Sequence, residues 1–226
     1  MTILKYLTDT YSFEDNTIVS NFGSDEIGEY IQLQETIFYP QGGGQPSDIG
    51  IIKSENGVVF NVTKVLYNNG EVNHYGTYEG VIKLPIGTVV DLSINKEVRI
   101  TNAINHTAGH ILSFVVEKLY PTCKAIKGYH FNEGPYIEFE NLPSNIDVLE
   151  VEKEVNQTIS LQLPVLQYIE MDSVTTFEDK SKQHRIMEVE GVGSVGCGGT
   201  HINNTNQIKS FNIKKIKKGR ISYFAS

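Results

Sequence analysis

Two short segments of this chain carry residue types that hold transition metals. His106-Thr-Ala-Gly-His110 places two imidazoles four residues apart, and Cys197-Gly-Gly-Thr-His201 places a thiol and an imidazole at the same spacing. On a helix, side chains at i and i+4 lie one turn apart on one face, so His106 and His110 can share an ion. Gly198 and Gly199 let the backbone turn tightly enough to bring Cys197 and His201 to one point. Three imidazoles and one thiolate suit zinc, which favours tetrahedral nitrogen and sulfur ligands. Position 107 is Thr, so the general-base glutamate of a metalloprotease HExxH is missing. Paired histidines on a surface helix are common without a metal, and either motif alone is a weak signal. Together the motifs use half of the six His and one of the two Cys in the chain.

The other candidates are plainer. Cys123 follows Pro-Thr and is expected to be a small buried hydrophobe. His74, His130 and His184 have no partner spacing and are expected to be structural or surface residues. Two cysteines cannot build a disulfide framework. The segment from Tyr39 to Gly50, Tyr-Pro-Gln-Gly-Gly-Gly-Gln-Pro-Ser-Asp-Ile-Gly, lacks the Gly-Lys-Ser/Thr end of a phosphate loop, and no helix follows it. It is either a tight connection between strands or a backbone surface that approaches a ligand, with Gln45, Ser47 and Asp48 supplying polar contacts.

These residues need elements to position them. Up to about residue 94 the pattern is β: short apolar runs such as Tyr30–Leu33, Val58–Val62 and Val89–Ile94 alternate with turn signals, among them Asn56-Gly57 and Asn69-Gly70. About six strands at this spacing predict a small barrel or sandwich. From Lys96 to Leu119 apolar residues recur at helical spacing, with Asn95 able to cap the start and Pro121 just past the end. His106 and His110 point nearly opposite to that helix's apolar stripe, toward solvent, another domain or a site. Strands are expected near 124–131, 135–140, 164–171, 185–190, 207–216 and 220–225, with a second helix near 145–161. The fold class is α+β: a small β-barrel over 1–94, then an α+β unit over 95–226 with a mainly antiparallel sheet packed on the long helix.

The chain has 226 residues and a net charge of −8, which argues against nucleic acid at first sight. The distribution argues otherwise. Residues 191–226 carry Lys209, Lys214, Lys215, Lys217, Lys218 and Arg220 with no Asp or Glu. Such a segment either contacts phosphates or is a solvated strand edge guarded by lysines. No apolar run reaches the ~18–20 residues of a membrane span, and the first residues lack the basic and apolar pattern of a secretory signal. A soluble cytoplasmic protein is expected.

The three motifs in this order, Gly42-Gly-Gly-Gln-Pro-Ser-Asp-Ile-Gly50, His106-Thr-Ala-Gly-His110 and Cys197-Gly-Gly-Thr-His201, resemble those of the AlaX family. These are free-standing relatives of the editing domain of alanyl-tRNA synthetase. The resemblance runs through the whole chain and fits the medium-sized members, which keep the barrel and lack a long C-terminal extension. It implies one zinc ion held by His106, His110, Cys197 and His201. It implies a deacylase that hydrolyses the ester joining serine chiefly, or glycine, to alanine-specific tRNA, with neither DNA nor a membrane as partner. It also implies that Gly42, Gly43, Gly44, Gln45 and Asp48 lie close to the substrate. Thr107 and Thr200 neighbour the ligands and could bond a seryl hydroxyl. The basic tail, Lys209 to Arg220, would then be an acceptor-stem surface, with Tyr223 or Phe224 packing nearby. Nothing in the sequence assigns a catalytic residue.

Two positions depart from the family pattern. Residue 109 is Gly where relatives often carry a bulkier residue, at a helix cost of about 1 kcal/mol relative to Ala. After His201 the chain has Thr205-Asn-Gln-Ile-Lys209 where relatives often have Thr-Gly-Glu-Ile-Gly. Two competing classes remain at this point. A zinc-stabilised RNA-binding module would bind tRNA without turning it over, and a zinc hydrolase of small esters or amides would ignore tRNA identity.

Overall fold

Alternation of inward and outward residues builds the first part of the chain into strands whose apolar faces must close on themselves. The structure is a computed structural model that describes residues 1–171 and 183–226, without the side chains of 171, 183 and 184. His184's side chain therefore lies outside the described residues. The chain divides into two compact units, Met1–Ile100 and Thr101–Ser226. Among the described residues no helix is long and apolar enough to cross a membrane.

In the first unit, β1 (Ile3–Leu4) pairs in parallel with β4 (Glu35–Thr36). Strands β2 (Glu14–Ser24), β3 (Glu29–Leu33), β5 (Gly50–Ser54), β6 (Val59–Asn68), β7 (Glu71–Tyr78) and β8 (Val89–Ile94) form a closed antiparallel barrel in the order β2-β3-β7-β6-β5-β8. Closure leaves no barrel edge unpaired. Val19, Ile31, Leu33, Ile52, Phe60 and Leu92 are among the side chains that fill it. The two expected hairpin signals use different turns. Asn69 and Gly70 both have positive φ, 49° and 88°, which gives the tight two-residue connection between β6 and β7. At Asn56-Gly57 only Gly57 is left-handed, and its N–H donates to the Ser54 carbonyl at 2.9 Å, so that loop is longer. His74 is fully buried, between Thr36 Oγ1 at 2.8 Å and the Ile31 carbonyl at 3.0 Å, and is structural as expected.

The glycine segment is anchored within this unit. Gly43 and Gly44 are both left-handed, at φ 53° and 77°, and the Gln45 N–H returns to the Gly42 carbonyl at 2.8 Å. Only residues without a Cβ take this turn at no steric cost. Tyr39 donates its hydroxyl to the Gly42 carbonyl at 2.8 Å, and Ser47 Oγ accepts from Val65 N–H at 3.1 Å. Below the turn Asp48 meets Arg99, and both side chains are 0 % exposed. Arg99 Nε lies 3.0 and 3.1 Å from the two carboxylate oxygens, and one terminal nitrogen also bonds Asp48 Oδ2. The remaining guanidinium donors reach the carbonyls of Thr10 at 2.7 Å and Ile37 at 2.6 Å, while Tyr39 N–H donates to Asp48 at 2.6 Å. A buried ion pair is tolerable when its remaining hydrogen-bonding groups are satisfied in this way.

Arg99 stands in the first turn of α1 (Lys96–Leu119), which Asn95 caps by accepting from Val98 N–H at 3.1 Å. The second unit continues with β9 (Lys124–Tyr129), β10 (Tyr136–Glu140), α2 (Val148–Ser160), β11 (Val165–Met171), β12 (Gln183–Val189), β13 (Gly193–Gly196), β14 (Phe211–Lys217) and β15 (Arg220–Ala225). The expected antiparallel sheet is two sheets, β14-β15-β10-β9 and β11-β12-β13. Ala108, Ile111, Leu112 and Val115 of α1 join Val151 and Val155 of α2 and Ile137, Phe139 and Ile221 of the larger sheet in one core. Cys123 is buried there as a small hydrophobe. One strand starts later than expected, and one strand, β13, was not expected. Residues 205–207 form a short 3-10 turn capped by Asn204, so the strand expected from 207 starts at Phe211. Strand β13 has too little apolar content to show a period. Its Gly193 leaves room for Phe114, whose ring would lie 2.8 Å from an added Cβ.

The Arg99 pair gives the first expected outcome. Arg99→Met strands a buried carboxylate and should cost the barrel about 3–5 kcal/mol. Arg99→Met with Asp48→Asn should recover part of the loss, as read by urea unfolding of the two variants side by side.

Candidate metal centre

Helix α1 is buried on more than its core stripe. His106, opposite that stripe, is only 2 % exposed. Its ring stacks on His110 at 4.9 Å and lies 4.5 Å from the ring of His201. The Cys197–His201 loop follows β13 and supplies the other two side chains. Cys197 Sγ lies 3.5 Å from His106 Nε2 and 3.3 Å from His201 Nε2. The ligand atoms of His106, His110, Cys197 and His201 all fall within 4.8 Å of one another. Metal bonds of about 2.0–2.3 Å in a tetrahedron need ligand separations of about 3.3–3.8 Å, which small side-chain movements of this set supply. Among the described residues His110 Nε2 is buried and has no hydrogen-bond partner, so its lone pair is free to bind an ion. The donor set therefore fits a metal ion.

Several neighbours hold these four residues in place. Arg185 of β12 donates to the carbonyls of Cys197 at 2.8 Å and Gly199 at 2.7 Å and also bonds Gln167, so the glycine-rich loop is clamped to the smaller sheet. His201 Nδ1 hydrogen-bonds with Thr107 Oγ1 at 3.3 Å, while Nε2 lies 3.3 Å from Cys197 Sγ. The same hydroxyl oxygen accepts from Ile202 N–H at 3.3 Å. Outer contacts of this kind set the tautomer and aim of a metal-binding imidazole. Neither Arg185 nor its loop contacts had a sequence signal, because an arginine in a strand has no spacing that marks it.

His130 is the second residue that sequence reasoning missed. It stacks on His106 at 4.2 Å and is 2 % exposed. Tyr223 donates its hydroxyl to the Asn105 carbonyl at 2.8 Å, so His130 Nδ1 donates to the Tyr223 oxygen at 3.0 Å. A Cβ at Gly109 would lie 2.5 Å from His130, and one at Gly128 would lie 2.4 Å away. The glycine inside the His106–His110 motif is thus the space that His130 occupies. That unusual residue was the available signal.

Burial keeps the cluster uncharged. Desolvation lowers His110 to about 4. It also takes His106 and His201 well below the usual histidine value, and neighbouring imidazoles and Arg185 add to the effect. Burial raises the Cys197 thiol, a shift that the Gly199 N–H and Arg185 partly offset. Near pH 7 the site thus holds three neutral imidazoles and one protonated thiol.

The chain is 33 % identical over 244 residues to an alanyl-tRNA editing protein AlaX-M of Methanosarcina barkeri, covering 99 % of this chain and 98 % of that protein. The chain belongs to the AlaX family. An AlaX-L protein of Pyrococcus horikoshii is 33 % identical over 94 % of this chain and 54 % of its own length. An alanine–tRNA ligase of Streptococcus agalactiae is 31 % identical over 92 % of this chain but only 26 % of the ligase. The profile of class II (A) tRNA synthetases matches residues 7–98, and that of the threonyl and alanyl tRNA synthetase second additional domain matches 185–220. The second of these matches starts at Arg185 and includes Cys197 and His201, two of the four clustered residues of this AlaX protein.

The other expected site residues lie as follows. Thr107 and Thr200 are both 0 % exposed in the metal unit. In the barrel unit Gly42 and Gly43 form the exposed tip of their turn, whereas Gln45 and Asp48 are buried. The basic residues flank the hairpin of β14, an edge strand of the larger sheet, and β15. Lys214 lies 5.2 Å over the Phe224 ring, Lys209 bonds the Asn206 carbonyl at 2.8 Å, and Arg220 pairs with Glu138 at 3.0 Å. Lys215, Lys217 and Lys218 are exposed. Among the described residues none of Lys214, Lys215, Lys217 and Lys218 makes a salt bridge. Tyr223, expected at this surface, is 2 % exposed because its hydroxyl is committed to Asn105 and His130.

Two outcomes follow from this geometry. Metal binding at pH 7 should release about one proton, from Cys197, because the imidazoles are already neutral. Calorimetry in buffers of different ionisation enthalpy measures this, and Cys197→Ser should abolish the release. Gly109→Ala should destabilise the protein by about 1–3 kcal/mol despite alanine's better helix propensity, since the new methyl meets a His130 ring that is stacked on His106 and bonded to Tyr223. Thermal unfolding with and without His130→Ala separates the clash from the helix effect.

Proposed function

We propose that this protein is a trans-editing deacylase that removes serine chiefly, and glycine as a second substrate, from mischarged alanine-specific tRNA, at a site containing one zinc ion. The observation that carries the reading is the convergence of three imidazoles and one thiol within 4.8 Å, in a chain matching AlaX-M over 99 % of its length. The reading places the protein in the cytoplasm, where charged tRNA meets the ribosome.

In this reading His106, His110, Cys197 and His201 hold the zinc. The ion supplies electrostatic polarisation and shape to the pocket. Thr107 orients His201 through Nδ1 and retains its own hydroxyl proton, which can be donated to a seryl hydroxyl. A site built around that hydroxyl rejects alanine by leaving a buried polar group unpaired. Gly42, Gly43 and Gly44 present a backbone surface to the substrate, and Asp48 acts through Arg99 to hold that turn. Lys214, Lys215, Lys217 and Lys218 contact phosphates of the acceptor stem, with Lys209 and Arg220 at the ends of the patch. An aminoacyl ester is already activated, so positioning, water and charge stabilisation suffice for its hydrolysis.

Release of serine from Ser-tRNA(Ala), with Ala-tRNA(Ala) in parallel, tests the reading. Serine should be released and alanine spared, and Cys197→Ala or chelation should abolish release. Neutralising Lys214, Lys215, Lys217 and Lys218 to Gln should raise KM and reduce the salt slope of binding by about one for each phosphate that is no longer bound. Metal-loaded, folded protein that binds tRNA and releases no amino acid would favour the non-catalytic RNA-binding module instead.

A further inference from the structure

Folded proteins leave few buried polar atoms without a partner, and each one that remains has a cause. Among the described residues three side-chain atoms are buried and unpartnered: Nδ2 of Asn102, Nδ2 of Asn105 and Nε2 of His110. All three belong to helix α1. His110 Nε2 is one of the four clustered ligand atoms, which explains it. The two carboxamides have no such explanation. Asn102 is 3 % exposed and Asn105 is 1 % exposed. A buried amide donor that lacks an acceptor loses its hydration and gains nothing in return.

Their placement links them to the metal cluster. Asn102, His106 and His110 form one i, i+4, i+8 row, so Asn102 lies on the same stripe as both helical ligands. It sits about 6 Å along the axis from His106. Asn105 precedes His106 in the chain and is three residues from Asn102, a spacing at which Cβ atoms are about 5–6 Å apart. The backbone of Asn105 is held in turn, since its carbonyl accepts the Tyr223 hydroxyl at 2.8 Å. Two neighbouring, desolvated donors without acceptors among the described residues, within one turn of the His/Cys cluster, match what stabilises a developing oxyanion.

We propose that the carboxamides of Asn102 and Asn105 form a two-donor site for the carbonyl oxygen of the aminoacyl ester, a role that rests on the deacylase reading above. Water adds to the ester carbon, and the carbonyl electron pair moves onto the oxygen that faces the two N–H groups. Collapse re-forms the carbonyl and breaks the bond to the ribose oxygen. That oxygen leaves with one proton of the water, and the other proton is lost from the freed carboxylic acid to solvent. The amides bond this oxygen more strongly as its charge develops, so they act on kcat more than on KM.

The test uses the metal-loaded full chain and the variants Asn102→Leu, Asn105→Leu, Asn102→Ala and Asn105→Ala. Each should lower kcat for Ser-tRNA(Ala) about 100-fold with little change in KM. The leucine variants should keep one metal ion and an unchanged or higher Tm. Full kcat with a lowered Tm would overturn the inference, because the amides would then serve the fold through buried water. Loss of metal together with kcat would also overturn it, as would failure of all four variants to fold. Wild-type protein that releases no serine would instead overturn the deacylase reading, and this inference with it.

Discussion

Three imidazoles and a thiol lie with their ligand atoms within 4.8 Å of one another, and at that distance they must stay uncharged. Imidazolium groups that close in a poorly hydrated site would repel one another by several kcal/mol. Burial prevents this by holding the histidines neutral, and much of the second unit serves that burial. Helix α1 is therefore covered on its ligand face as well as on its core stripe. Arg185 ties the Cys197–His201 loop down through backbone carbonyls rather than through the ligands. Thr107 fixes which nitrogen of His201 points inward. His130 closes the remaining side of His106, and the chain gives up side chains at 109 and 128 to admit it.

The barrel unit solves a related problem with opposite means. Its glycine turn is bent in a way that only glycine accepts cheaply, and a turn of this kind has few side chains to hold it. A fully buried Arg99–Asp48 pair does so from below, with the guanidinium donors shared among the carboxylate and two backbone carbonyls. The arrangement separates roles that the sequence runs together. Gly42 and Gly43 are exposed at the tip, while Asp48, in the same motif, is enclosed. At the His/Cys cluster burial keeps the imidazoles neutral. In the barrel unit charge is admitted and fully paired.

The basic segment is placed where edge protection is needed. Strand β14 is an edge, and lysines there discourage pairing with another chain. The same lysines make no salt bridges among the described residues. Arg220, by contrast, is paired with Glu138.

The β-rich first unit, the long helix with its cap, the tight turn at Asn69-Gly70 and the two spaced pairs His106/His110 and Cys197/His201 were readable from local pattern, whereas the meeting of the two pairs was implied only by the family resemblance. Each depends on short-range physics: strand alternation, helical periodicity, the steric freedom of glycine, and i, i+4 spacing. The family resemblance rested on the same local motifs. Tertiary structure alone decided that His130 packs on His106, that Gly109 exists to admit it, that Arg185 clamps the loop, and that Asp48 faces Arg99. It also decided that Tyr223 points inward and that two asparagines are buried without acceptors among the described residues. These are contacts between residues far apart in the chain, and no spacing encodes them. They follow only when closure of the sheets and packing of α1 determine which groups lose water and which neighbours they meet.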